Sequence, residues 1–97
     1  MAHRDWHTVT VARSADQVSC DLRGETAVLQ LSSGVYFGLD AVGTRIWELL
    51  ATPMSLVQLI DTITTEYAVE AERSEQDIVA LLDDLDAHGL VTIGERS

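Results

Sequence analysis

At Asp40 the spacing of apolar residues changes from every second position to every third or fourth, which divides the chain into a β half and an α half. Before Asp40, Thr8-Val9-Thr10-Val11 and Val18-Ser19-Cys20-Asp21-Leu22 alternate with period two. Arg23-Gly24 supplies a turn, and Thr26-Ala27-Val28-Leu29-Gln30-Leu31 continues the alternation. Ser32-Ser33-Gly34 is a short connection whose glycine can take positive φ. It leads into Val35-Tyr36-Phe37-Gly38-Leu39, with Val35, Phe37 and Leu39 on one face. These segments predict a three-stranded antiparallel meander.

After Asp40 the period is helical. Asp40 is a good N-cap, and Val42, Ile46, Leu49 and Leu50 form the stripe of a first helix that ends before Thr52-Pro53. Gly43 weakens that helix by about 1 kcal/mol relative to alanine, so close packing or an irregular first turn is expected there. Ser55 and Gln58 read as a capping box for a second helix with Leu56, Leu59, Ile60, Ile63 and Tyr67 on one face. Residues 68–73 read as an acidic loop. Ser74 and Asp77 resemble a second capping pair, followed by Ile78, Leu81, Leu82 and Leu85, with Gly89 ending the helix. Leu90-Val91-Thr92-Ile93 is an apolar tail, either a strand or a segment packed under the helices. Residues 6–93 are expected to form a single domain, with 1–5 and 94–97 frayed. Strands first and helices second define an α+β class: a three-stranded antiparallel sheet followed by three helices. The same description fits a winged helix-turn-helix.

Charge excludes several functions. Sixteen acids against six arginines and no lysine give a formal charge of −10, so phosphate backbones and anionic membranes are repelled. Residues 61–97 carry ten of those acids against Arg73 and Arg96, and Ser74 to His88 contains no basic residue other than the histidine. Neither nucleic acid nor a membrane is expected as partner. The single cysteine, Cys20, cannot form an internal disulfide, and the polar start of the chain has no signal core, which makes the cytoplasm the expected compartment. The uncharged run through Ala51 to Ile60, and the longer one from Thr26 to Leu39, are both short of the ~20 residues a spanning helix needs.

No arrangement of residues points to catalysis, a metal or a cofactor. Cys20 lies mid-strand without a CxxC partner or glycine-rich elbow and is expected to be a small, buried or half-buried hydrophobe. His3 and His7 have helical metal-ligand spacing, but in a segment without helical pattern. His88 is placed to meet the last carbonyls of the third helix. On that helix Asp83 and Asp86 lie on the same side as Val79, while Asp84 lies with Asp77 on the other. This acidic run reads as a solvated face, or as Asp83 and Asp86 rimming a groove that attracts a basic peptide. The last strand of a meander is an edge, and Val35 to Leu39 carries neither charge nor proline to blunt it. Such an edge is either covered, by the third helix or a second copy, or open to strand addition by an extended peptide.

An ordered set of residues resembles the PqqD-like family. It comprises Gly24, Leu29-Gln30-Leu31, Gly34-Val35-Tyr36-Phe37-Gly38-Leu39-Asp40, Gly43, Ile46-Trp47-Glu48-Leu49-Leu50, Ser55-Leu56, Tyr67, Asp77-Ile78, Leu82, Leu85 and Gly89-Leu90-Val91, and covers about residues 16–93. The family often has asparagine where this chain has Asp40. The resemblance implies a RiPP recognition element: a small non-catalytic domain that binds the leader peptide of a ribosomally made precursor as an extra strand, in a groove walled by the third helix. Carried over, the peptide-binding residues would be Val35, Tyr36, Phe37, Gly38 and Leu39 on the strand, with Ile78, Val79, Leu82, Asp83 and Asp86 on the helix, the facing flank being undetermined. Trp47 has both a core and a docking reading. The Tyr36-Phe37 form of the strand is most similar to stand-alone proteins of lasso-peptide biosynthesis. Their partners would be the precursor leader, whose tyrosine, proline and leucine fill apolar pockets, a cysteine-protease-type leader peptidase, and a cyclase. The domain would act as a monomer or weak dimer without cofactor. A pyrroloquinoline-quinone-type peptide chaperone for a radical enzyme is the near alternative. A winged-helix transcriptional regulator and an oligomeric scaffold pairing through the same edge are the distant ones.

Overall fold

The computed structural model describes residues 5–95 and contains three helices and two three-stranded antiparallel sheets. A single 3-10 turn, Trp6–Thr8, precedes β1 (Val9–Arg13), β2 (Gln17–Leu22), β3 (Glu25–Gln30) and β4 (Tyr36–Leu39). Then come α1 (Ala41–Leu49), the two-residue β5 (Met54–Ser55), α2 (Leu56–Tyr67), α3 (Ala71–Ala87) and β6 (Val91–Glu95). The predicted meander is the sheet β2-β3-β4. Arg23 and Gly24, both at positive φ (59° and 89°), make the two-residue hairpin between β2 and β3.

The α+β class is as expected, but the element order is richer than one sheet followed by three helices. β1 belongs to a second sheet, ordered β5-β1-β6, in which Val11 pairs with Ile93 and Val9 with Glu95. Of the two readings of the apolar tail, the strand is the one formed. Residues 94 and 95, expected to be frayed, are part of it, and Asp5 Oδ1 accepts the His7 amide at the 3-10 turn. Residues 1–4 and 96–97 lie outside the described residues.

The helices begin and end for local reasons. Asp40 Oδ1 accepts the Gly43 amide at 2.8 Å, and a Cβ on Gly43 would lie only 3.2 Å from that same oxygen, which accounts for the glycine. Asp40→Ala is expected to cost about 1 kcal/mol, measured as a lower urea midpoint at unchanged slope. Ser55 and Gln58 form the capping box, each side chain bonded to the other's amide. Gly89, at φ 70°, closes α3 in a Schellman turn: its amide bonds Asp86 O and the Leu90 amide bonds Leu85 O. The start of α3 differs from expectation. The helix begins at Ala71 after Glu70, which makes no side-chain cap, so Ser74 lies inside it rather than ahead of it.

Leu50, Leu56, Leu59, Ile78, Leu82, Leu85, Leu90, Val11 and Val28 are fully buried and join both sheets to all three helices in one core. Trp47 is part of it: Arg13 Nε donates to its carbonyl at 2.8 Å, and the guanidinium lies 4.9 Å from the indole ring. At the surface, Arg45 donates to both Glu66 oxygens, tying α1 to α2 and holding that carboxyl below its usual range. Among the described residues no helix is long and apolar enough to cross a membrane.

Candidate functional site

β4 pairs with β3 on one side and, among the described residues, with no other strand. The ladder matches Leu29 with Tyr36, Val28 with Phe37, Ala27 with Gly38 and Thr26 with Leu39. The Gln30 amide bonds Val35 O, which marks residues 30 and 35 as a hydrogen-bonded pair. Alternation along the antiparallel ladder then turns the main chain of Phe37 and Leu39 toward β3, and that of Tyr36 and Gly38 outward. The C-terminal segment that could have closed this edge pairs with β1 in the other sheet instead. Val35, Tyr36 and Gly38 are exposed, Phe37 is half-buried and Leu39 is buried.

Beside this edge runs a groove of about 530 Å³ between β4, the first turns of α1, the end of α2 and one flank of α3. Phe37, Leu39, Ile46, Ile63, Ile78 and Leu81 supply apolar lining, while Val42, Tyr67 and Val69 are exposed at its rim. Three carboxylates, Asp40, Asp77 and Asp84, also line it, and among the described residues no basic one does. One end lies at the α2–α3 connection, with Tyr67, Val69 and Ser74. The other lies where the His88 ring meets Phe37 at 5.0 Å between centroids while its Nδ1 bonds Asp84 O. From Ser74 to Asp84, ten residues of helix span about 15 Å. That is the length of four to five residues of extended chain.

The α3 flank in this groove carries Asp77, Leu81 and Asp84. Of the helix residues proposed from the resemblance, Ile78 lines the groove, whereas Val79, Leu82, Asp83 and Asp86 are not among its lining residues. Leu82 is fully buried, and Val79 is half-buried against the core. Asp83 accepts the Trp6 indole N–H at 2.8 Å, and Trp6 is itself buried, so the opposite flank is held by the N-terminal turn. The helical wheel shows two equivalent flanks; in the structure the Trp6–Asp83 bond lies on one and the groove along the other. A lone buried tryptophan in an otherwise polar N-terminal stretch was the available signal. Nearby, His7 Nε2 lies 3.3 Å from Glu75.

Two other candidates resolve simply. Cys20 is exposed, not buried, because β2 is the far edge of its sheet and is exposed from Val18 to Leu22. Among the described residues no cluster of three or more histidine, cysteine or acidic side chains could hold a metal; His3 lies outside them.

Fold and site together define a small α+β domain with an open strand edge beside an apolar, acid-rimmed groove. Residues 25–91 match the family model described as coenzyme PQQ synthesis protein D, PqqD, and the chain belongs to that family. Among solved structures, TbiB1 in complex with the TbiA(beta) leader peptide is 38% identical, with a TM-score of 0.77 over 82% of this chain and 93% of that one. A lasso peptide synthetase B1 complexed with the leader peptide is 24% identical, with a TM-score of 0.75 over 84% of this chain and 96% of that one, and bears on the fold alone. Comparison with curated proteins gives no match.

Proposed function

We propose that this protein is a non-catalytic recognition element of lasso-peptide biosynthesis. It takes the leader of a precursor as an added strand on β4 and holds it for a cysteine-protease-type leader peptidase and a cyclase in the cytoplasm. One observation carries the reading: the outward main chain of Tyr36 and Gly38 stands beside an apolar groove, in a chain 38% identical to a protein solved with its leader. Val35 to Leu39 form the receiving edge, and Ile78, Leu81, Asp77 and Asp84 form the helical wall.

The energetics require both parts of the site. Ordering an extended segment costs about 1–2 kcal/mol per residue, and ladder hydrogen bonds, each worth about 1 kcal/mol net, do not offset that alone. Two or three apolar side chains buried in the groove, at about 1.5–3 kcal/mol each, turn the balance toward binding. No bond in the peptide is made or broken here. The contribution to the pathway is effective concentration: a peptidase tethered to the same complex meets the scissile junction far more often than in free solution.

Calorimetric titration with the TbiA(beta) leader is expected to give a dissociation constant of about 0.1–10 μM with a negative heat-capacity change, and to protect the Tyr36 and Gly38 amides from exchange. Absence of heat and of protection overturns the reading. The family match itself supports a second reading, a peptide chaperone of the pyrroloquinoline-quinone type serving a radical enzyme. Co-purification with a radical enzyme rather than a peptidase would select it. A DNA-reading role gains nothing from α3, which carries six acids against Arg73.

A further inference from the structure

We infer that the Ser74 end of the groove is a seat for a cationic side chain, lysine or arginine, of the incoming peptide; this rests on the peptide-binding reading above. Ser74 is 3% exposed, lines the groove, and its hydroxyl has no hydrogen-bond partner among the described residues. A buried hydroxyl left unpaired destabilises a fold, and a helical serine can relieve this by bonding the carbonyl four residues back. Here the Glu70 carbonyl receives the Ser74 amide, at 2.9 Å, and no hydroxyl among the described residues. One turn further along α3, Asp77 also lines the groove and is exposed.

The two groups differ in kind, and together they specify a ligand. A serine oxygen and a carboxylate both accept hydrogen bonds, and an ammonium or guanidinium supplies several donors and the opposite charge. A purely apolar side chain satisfies neither, and an acidic one, which could accept from the serine hydroxyl, is repelled by the Asp77 carboxylate. The approach to this seat is lined by Val69 and Tyr67, both about two-fifths exposed, a surface suited to the aliphatic stem of lysine or the stacked plane of arginine. A rotation about χ1 brings the serine oxygen to the visitor, since serine has three staggered wells. Among the described residues no basic one lines the groove to compete for the position. The peptide recognised is therefore extended, with apolar residues for the floor and a basic residue at the end that meets the α2–α3 connection.

The test is selection of displayed random 12-residue peptides on the full chain, with Gly38→Pro as an edge-blocked control. Edge-dependent peptides are expected to carry lysine or arginine at a fixed offset from their apolar positions. Asp77→Asn should weaken a selected peptide about 3- to 10-fold, and less in 0.5 M salt. Ser74→Ala should weaken it about 3-fold while raising the melting temperature by about 2–5 °C, because the unpaired hydroxyl is gone. A serine with a purely structural role moves stability without affinity, so the opposed pair of changes is the signature. Edge-dependent peptides without a basic preference, or affinities unmoved by both substitutions, overturn this inference and leave the proposed function standing. Failure to enrich any edge-dependent peptide overturns both.

Discussion

Gly38→Pro is expected to leave the fold in place and to weaken leader binding by at least 30-fold. Proline removes the amide of residue 38, which points away from β3, so the β3–β4 ladder keeps its bonds. What is lost is an outward donor, and the pyrrolidine ring stands where the visiting strand would lie. Phe37 precedes it in extended conformation, the geometry a residue before proline prefers. Phe37→Pro is the informative contrast: its amide faces Val28, so the substitution breaks the internal ladder and lowers stability along with binding. Calorimetry and thermal melts on both variants separate the two effects. Equal affinity for wild type and Gly38→Pro would mean that the peptide does not bind as a strand on this edge.

The second large effect is expected on α3 and identifies the working flank. Leu81 lines the groove and is half-buried against the core, so Leu81→Ala should weaken binding about 10-fold and Leu81→Asp should remove it, the alanine variant at a stability cost of about 1 kcal/mol and the aspartate variant at a larger one. Val79, two residues earlier, packs against the core from the other flank, so Val79→Ala should lower stability by about 1 kcal/mol and leave affinity within twofold. Affinity lost at Val79 and kept at Leu81 would place the peptide on the Trp6 side instead. Polarisation binding with a labelled leader, paired with urea unfolding, reads both quantities.

Local chemistry made most of the secondary structure legible. Asp40, the Ser55–Gln58 box and Gly89 act through neighbours a few residues away, so sequence spacing carries their signal. The pairing of β1 with β6 has no such local signature: residues 9 and 95 meet only because the helices bring the tail back. The start of α3 was obscured because Ser74 looks like a cap, while the true N-cap, Glu70, makes no side-chain bond. Cys20 was expected inside because alternation in a strand suggests one covered face, and β2 is exposed on both. The open edge could be read from the lack of charge and proline in Val35 to Leu39. Which flank of α3 borders the groove could not, because it depends on long-range packing such as the Trp6–Asp83 bond.

The pairing of Val9 with Glu95 sets the start of the first strand beside the end of the last, on the sheet that does not carry the open edge. A unit with that doorway can be spliced into a surface loop of a larger host, or carry a fluorophore at either terminus, without stretching its own framework. Portability of this kind suits a small peptide-recognition module.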